Sequence, residues 1–270
     1  MLEIRSASKT FHADTPNEVR ALQALDLVIE EGQFLTVIGT NGSGKSTLLN
    51  AIAGVFLLDS GTVSIDGRDV TRWPEHRRAS LIGRVFQNPF SGTAPGMTIA
   101  ENIALAAMRG RARGLGWALN ARAWQEIRER VRSLNMGLED RLDNPIGTLS
   151  GGQRQALTLL MATWLRPRLL LLDEHTAALD PKSADLVVRL SEEIIKRDKL
   201  TTLMVTHSMA QAAHLGDRLI MMHRGRTIQD FKGAEKKRIR VADLLESFEE
   251  VRRLEQLDES AAEMLSRNYV

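Results

Sequence analysis

The stretch Gly39-Thr40-Asn41-Gly42-Ser43-Gly44-Lys45-Ser46-Thr47 fits the pattern G-x-x-x-x-G-K-[ST], with Gly39, Gly44, Lys45 and Ser46 in the defining places. The apolar run Leu35–Ile38 before it reads as a buried strand, and Leu48, Leu49 and Ile52 after it read as the inner face of a helix. Strand, glycine turn and helix form the context in which this pattern acts as a phosphate-binding loop (P-loop). Glycines let successive backbone N–H groups turn inward around phosphate oxygens without Cβ clashes, and the positive end of the helix dipole adds attraction. Lys45 would bring a full charge to the β- and γ-phosphates, and the Ser46 hydroxyl would ligate Mg²⁺.

Composition limits what surrounds this loop. A chain of 270 residues suffices for one large α/β domain or two modest ones. Thirty-six basic residues against 34 acidic ones leave a net charge of +2, which does not favour a broad nucleic-acid surface. With no cysteine, disulfides, zinc-thiolate sites and thiol catalysis are excluded. No apolar run approaches the ~18 residues of a membrane-spanning helix, and the first residues lack a basic stretch followed by an apolar one. The expectation is a soluble chain whose membrane role, if any, comes through a partner.

Outward from the loop, residues 2–38 predict antiparallel strands, over Leu2–Ala7 and Ala24–Glu30. Phe11 between them reads as a half-buried strand aromatic, or as a flat ring to stack on adenine. Further strands are predicted at Thr62–Ile65 and Leu81–Phe86, and helices over Thr98–Met108 and Asn120–Leu134. The basic, glycine-rich link Arg109–Gly116 reads as a solvated loop or a contact to lipid headgroups or a membrane subunit. Leu169–Leu172 is a continuous apolar run, as expected of a strand covered on both faces. Pro181 opens a helix with Asp180 as N-cap; Thr201–Thr206 is the next strand, with His207 at its end. Arg218–Met222 and Thr227–Phe231 predict a closing hairpin around Gly225. Val241, Leu244, Leu245, Phe248, Val251 and Leu254 fall at helical spacing, for packing on the core or on a partner.

Strands alternating with helices imply ligand binding at the carboxyl edge of a mostly parallel sheet. Four polar clusters follow apolar strands: 39–47, Gln87, Asp173-Glu174 and His207. Asp173 is placed to hold Mg²⁺, and Glu174 to orient and deprotonate an attacking water. Gln87 can offer its amide oxygen to Mg²⁺ and the water, though a Gln after a strand means little by itself. His207 can bridge the γ-phosphate and Glu174, or act as a structural cap.

Leu149-Ser-Gly-Gly-Gln-Arg-Gln155 is similar to the signature motif of ATP-binding cassette (ABC) ATPases. With Gly39–Thr47, Gln87, Leu169–Glu174, Ala178-Leu-Asp180 and His207, the resemblance covers residues 2 to 231. It implies an α/β fold: a P-loop NTPase core with a mostly parallel sheet, an N-terminal antiparallel β-subdomain and a helical subdomain inserted at about 88–150. A C-terminal helical extension follows at 232–270. By resemblance, Phe11 stacks on adenine, Asn41, Gly42, Ser43, Gly44 and Thr47 complete the phosphate loop, and Gln87 senses a membrane subunit. Ser150, Gly151 and Gly152 bind the γ-phosphate of ATP held by a second copy, Asp180 belongs to the D-loop, and His207 is the switch histidine. Ser150-Gly-Gly152 at a helix start is a second anion site. One chain already has a complete cradle at Lys45, so the second site points to a two-fold pair enclosing two ATP molecules.

The pattern departs from the family at His175, where many members have proline, and at Ala177-Ala178. Neither removes a catalytic group. The implied function is the ATP-hydrolysing subunit of a transporter, with ATP and Mg²⁺ as cofactors. Its partners would be a separate permease and a solute-binding protein, at the cytoplasmic face of a bacterial membrane. Import, with amino acids as cargo, is the narrower expectation. The competing reading is a soluble ABC ATPase acting on nucleic acid or ribosomes. Only 105 positions separate Lys45 from Ser150, which leaves no room for a long coiled-coil insertion. A non-hydrolysing scaffold is disfavoured because Glu174, Gln87 and His207 are all present.

Overall fold

The computed structural model describes residues 1–110, 120–251 and 253. Two sheets carry the chain. A six-stranded sheet has the order β10-β9-β3-β8-β7-β6, and a four-stranded antiparallel sheet the order β2-β1-β4-β5. The first comprises β3 (Phe34–Gly39), β6 (Ile82–Val85), β7 (Leu169–Asp173), β8 (Thr202–Val205), β9 (Arg218–His223) and β10 (Arg226–Lys232). Its inner pairs are parallel and only β10 runs antiparallel, on β9. β3 and β8 are wholly buried, as strands covered on both faces must be.

The second sheet comprises β1 (Leu2–Phe11), β2 (Val19–Ile29), β4 (Ser60–Ile65) and β5 (Arg68–Asp69). β1 and β2 run longer than the alternation predicts. The reason is a set of register shifts along β1, with Ser6 and Ala24 at positive φ. A bulge flips the face presented by later residues, so the period-2 pattern breaks while pairing continues. Asp66-Gly67, both at positive φ, turn β4 into β5.

Helix α1 (Lys45–Ala53) lies between the sheets, where Leu48, Leu49 and Ile52 join Leu2, Leu35 and Val205 in one apolar cluster. A short α2 (Glu75–Arg78), absent from the sequence reading, follows β5. Helices α3 (Ile99–Ala107), α4 (Ala121–Arg132) and α5 (Gly151–Thr163) build a second cluster around Ile103, Val131 and Leu157. Thr98 caps α3 with a reciprocal Glu101 bond, and Asn120 caps α4. Helix α6 (Pro181–Asp198) is capped by Asp180 with Pro181 in its first turn. Together α5 and α6 cover the outer face of the parallel sheet through Leu159, Ile194 and Leu170.

Helix α7 (Met209–His214) and α8 (Gly233–Arg238) precede α9, over 241–251. α9 buries Leu244 against Ile38, Ala212 and Met221, with Phe248 and Val251 beside it. Leu245 is exposed, and Leu254 lies outside the described residues. Of the basic link, 111–116 lies outside them too. Arg109 is half-buried and donates to the Ala162 carbonyl at 3.0 Å, near the end of α5. Among the described residues, no helix is long and apolar enough to cross a membrane.

Candidate active site

Four neighbouring parallel strands, in the order β3-β8-β7-β6, end at the same edge of the large sheet. They deliver the P-loop, His207, Asp173-Glu174 and Gln87 in that order. Residues spread over 169 positions of sequence, from Gly39 to His207, are thereby aligned along one carboxyl edge.

The loop is built by steric necessity. A Cβ on Gly39 would lie 2.2 Å from the Met222 carbonyl oxygen, and one on Gly44 2.3 Å from that of Ala21. Gly44 also has φ 97° as the N-cap of α1, a conformation that side chains disfavour. The glycines therefore let the loop press against β9 and β2. Lys45 folds back across it. Its Nζ donates to the carbonyls of Gly39 and Thr40, each at 2.9 Å, and to Ser43 Oγ at 3.4 Å. The residue is only 5% exposed. Burial pushes its pKa down, and the nearby Glu174 carboxylate opposes that. A buried ammonium held by neutral acceptors over a glycine cradle is chemically suited to an incoming phosphate.

β7 and β8 pair with Asp173 level with Val205, and the Glu174 N–H donates to the Val205 carbonyl at 2.9 Å. This register brings the residues just past each strand together. His207 Nε2 lies 2.6 Å from Glu174 Oε1, with the carboxylate nearly buried at 11% exposure and the ring half open at 49%. A carboxylate only accepts, so His207 carries its proton on Nε2 and donates it to Glu174. Glu174 itself sits at φ 44°, a costly conformation for a non-glycine residue. Asp173 makes an ion pair with Arg84 on β6 at 3.2 Å. Gln87 is exposed two residues beyond β6.

Ser46 is exposed on the first turn of α1. Were Asp173 and Gln87 to join it at a metal, as the sequence suggests, they would offer one hydroxyl, one carboxylate and one amide. Among the described residues there is no cluster of three or more His, Cys, Asp or Glu side chains able to hold a metal. Such an oxygen-only, ligand-poor set fits Mg²⁺, which keeps waters and takes phosphate oxygens as ligands.

Ser150 is the N-cap of α5, where it accepts from Gln153 N and stays exposed. Gly151 is exposed beside it. Gly152 is buried, and a Cβ there would meet Ser183 at 2.7 Å, so its smallness also serves the packing of α5 on α6. The neighbours of the P-loop glycines are Ala21, Met222 and Gly225, whereas those of Gly151 and Gly152 are Leu179 and Ser183. The Asp180 carboxylate accepts from Ser183 N at 3.0 Å, and its hydrogen bonds to Ser183 hold its pKa down. Phe11 is half-buried and packs edge-on against Phe56, with ring centroids 5.3 Å apart, past the C-terminal end of α1.

Three further residues have buried or half-buried partners that the sequence does not announce, although Arg154 lies within the signature stretch and His175 is a departure from the family pattern. Arg84 reaches Asp173, as described. Buried Arg154 donates to the carbonyls of Ile146, Gly147 and Leu149, and its guanidinium lies 3.7 Å from the Phe90 ring centroid. It thus ties the loop before Ser150 to the segment after Gln87. Buried His175 pairs its Nε2 with Ser191 Oγ at 3.0 Å, and burial lowers its pKa to about 4, which keeps it neutral.

Comparison with known proteins agrees with this geometry. The sequence model of the family described as ABC transporter matches residues 22–177. A tyrosine transport ATP-binding protein of Clostridioides difficile is 41% identical over 249 residues, covering 92% of this chain and 99% of that protein. The lipoprotein-releasing system ATP-binding protein LolD 1 of Caulobacter vibrioides is 37% identical, over 82% of this chain and 92% of its own. Among solved structures, the dimeric cassette MJ0796 superposes with a TM-score of 0.71 at 29% identity, over 86% of this chain and 98% of that one. The ADP conformation of the cassette MJ1267 gives 0.74 at 26% identity, over 90% and 95%. The match spans more than half of the sequence and includes the P-loop, Gln87, Asp173 and Glu174, so the chain belongs to the ABC transporter family as an ATP-binding ATPase subunit.

Proposed function

We propose that the chain works as a two-fold pair on the cytoplasmic face of a bacterial membrane, energising import of a small solute through a separate permease. The observation that carries this reading is the Glu174–His207 pair at 2.6 Å beside the Lys45 cradle, which is a hydrolytic arrangement and not merely a nucleotide-binding one. In it, Lys45 and the loop N–H groups hold the phosphates, and Glu174 takes the proton of the attacking water. His207, donating through Nε2, orients that carboxylate and faces the γ-phosphate. Mg²⁺, held by Ser46, Asp173 and Gln87, would neutralise charge on the phosphate oxygens. Ser150, Gly151, Gly152 and Asp180 of one copy complete the site of the other, and Phe11 receives the adenine.

A groove of this chain is the surface on which we place the permease. A groove of about 570 Å³ runs between β6 and the α3–α5 cluster, beside Gln87, lined by Phe86, Leu105, Arg109 and Met161. Its lining is mostly apolar, with Arg84, Arg109 and Glu75 as its charged members, which suits the apolar face of a helix from another subunit. The helical part at 88–150 is read as a subdomain because its side chains share an apolar cluster with α5, whereas the part of 232–270 that is described packs Leu244 into the cassette against Ile38 and Met221. Import, and an amino acid as cargo, rest on the relative named for tyrosine transport and on import proteins such as CysA of Mycobacterium tuberculosis, 37% identical over 77% of this chain and 56% of its own length. A solute-binding protein would then be the third partner.

Glu174→Gln tests the core of the reading. Turnover should fall by about 10²–10⁴-fold, the usual worth of a general base, while ATP binding persists. Normal steady-state hydrolysis would remove Glu174 from its role. Detergent pull-down should recover an integral membrane subunit; ribosomes or nucleic acid alone would favour the competing reading.

A further inference from the structure

Arg84 is the one cation on β6 that touches the site, and nothing in the reaction just described uses it. Its Nη2 donates to Asn50 Oδ1 on α1 at 2.7 Å and to Asp173 Oδ2 at 3.2 Å. Its side chain is 13% exposed, and its buried Nε has no hydrogen-bond partner. The guanidinium carbon lies 4.6 Å from the centroid of the Phe86 ring, two residues along the same face. Arg84 and Phe86 both line the groove that also receives Leu105, Arg109 and Met161. One side chain therefore touches the carboxylate at the catalytic edge and the wall of the groove.

We propose that Arg84 is a positioning residue that competes with the metal for Asp173 and so reports metal occupancy to the groove. This rests on the ATPase reading above, in which Asp173 serves Mg²⁺. Two cations then contend for one half-buried carboxylate. The shorter bond to Asn50 is the anchor, and the longer bond to Asp173 is the exchangeable one. The unpartnered Nε marks a guanidinium whose donors are not all satisfied, which lowers the cost of its leaving this position. When Asp173 is drawn to metal, Arg84 pivots about Asn50, and the ring of Phe86, which it faces, changes its surroundings. The groove is altered without movement of Lys45 or Glu174.

The test uses the full chain, Mn²⁺ as the metal and a non-hydrolysable ATP analogue. Electron paramagnetic resonance measures bound Mn²⁺, and a fluorophore on Leu105→Cys reads the groove; the absence of native cysteines makes that label unique. Arg84→Gln should bind Mn²⁺ about fivefold more tightly, the factor a partly exposed ion pair is worth, and Arg84→Lys should stay near the native value. The label should respond to Mn²⁺ when Arg84 is native and fall silent with Arg84→Gln. Equal Mn²⁺ affinities, or a label that ignores metal in the native background, overturn the inference and leave the ATPase reading standing. The label in the native background decides even if Arg84→Gln fails to fold. A native chain that binds no Mn²⁺-nucleotide overturns both.

Discussion

Arg78 offers the sharpest test of how the P-loop helix is held. It is 1% exposed, and its guanidinium donates to four carbonyls: Ala51 at 2.7 Å, and Ile52, Trp73 and Thr71 at 2.9 Å each. Two of these belong to the last turn of α1, which carries the negative end of the dipole; among the described residues the Ala51 carbonyl is otherwise met only by Gly54 N at 3.3 Å. Burial lowers the pKa of Arg78, with the Asp69 charge opposing, yet a guanidinium stays protonated. Hydrogen bonds to a charged group are worth about 1.5–3 kcal/mol each net of desolvation, but four made by one guanidinium do not add independently. Breaking a buried, hydrogen-bonded charge typically costs about 3–5 kcal/mol, which is the loss expected for Arg78→Met. That is a large share of the ~5–15 kcal/mol by which a domain is stable. Arg78→Lys reaches fewer of the four carbonyls and should fall between. Urea denaturation followed by tryptophan fluorescence measures both. An Arg78→Met loss below about 1 kcal/mol would refute the capping argument, because open buried carbonyls cannot be that cheap.

Ser150→Arg, built on the Glu174→Gln background, should keep ATP bound to the monomer but prevent the ATP-dependent dimer in size-exclusion chromatography; an undiminished dimer peak would remove Ser150 from the shared site. His175 makes stability depend on pH. Its folded pKa of about 4 lies below the ordinary 6.5, so between those values the unfolded chain binds a proton that the folded chain refuses. The metal-free protein should therefore lose stability as pH falls through that window, by at most about 1.4 kcal/mol per pH unit from this residue, with no such loss above it. Urea midpoints at neutral and mildly acid pH should diverge between the native chain and His175→Gln, and equal acid losses would contradict the neutral histidine.

Much of the site was legible because its chemistry sits in short, contiguous motifs. Gly39–Thr47 requires glycines where the loop meets β9 and β2, and that requirement is local enough to show in eight or nine letters. Leu169–Leu172 announced a doubly covered strand, and Asp180-Pro181 and Thr98 announced helix starts, because periodicity and capping are properties of neighbouring residues. β1 and β2 were read short because bulges at Ser6 and Ala24 shift the alternation that signals a strand.

Other facts are set by partners distant in sequence, and only the tertiary structure decides them. The order β3-β8-β7-β6 lines up Lys45, His207, Glu174 and Gln87, and no spacing in the chain states that order. Arg84 meets Asp173 across 89 positions, Arg218 holds Asp230 and the Val28 carbonyl, and Arg109 turns inward to Ala162. A charged letter reads as surface until the fold supplies the buried acceptor that keeps it inside. The sequence by itself thus determined the chemistry of phosphate binding and hydrolysis, because backbone conformation and functional groups are encoded locally. The three-dimensional register of the sheets decided which of those groups touch, and which cations stand between the catalytic edge and the groove.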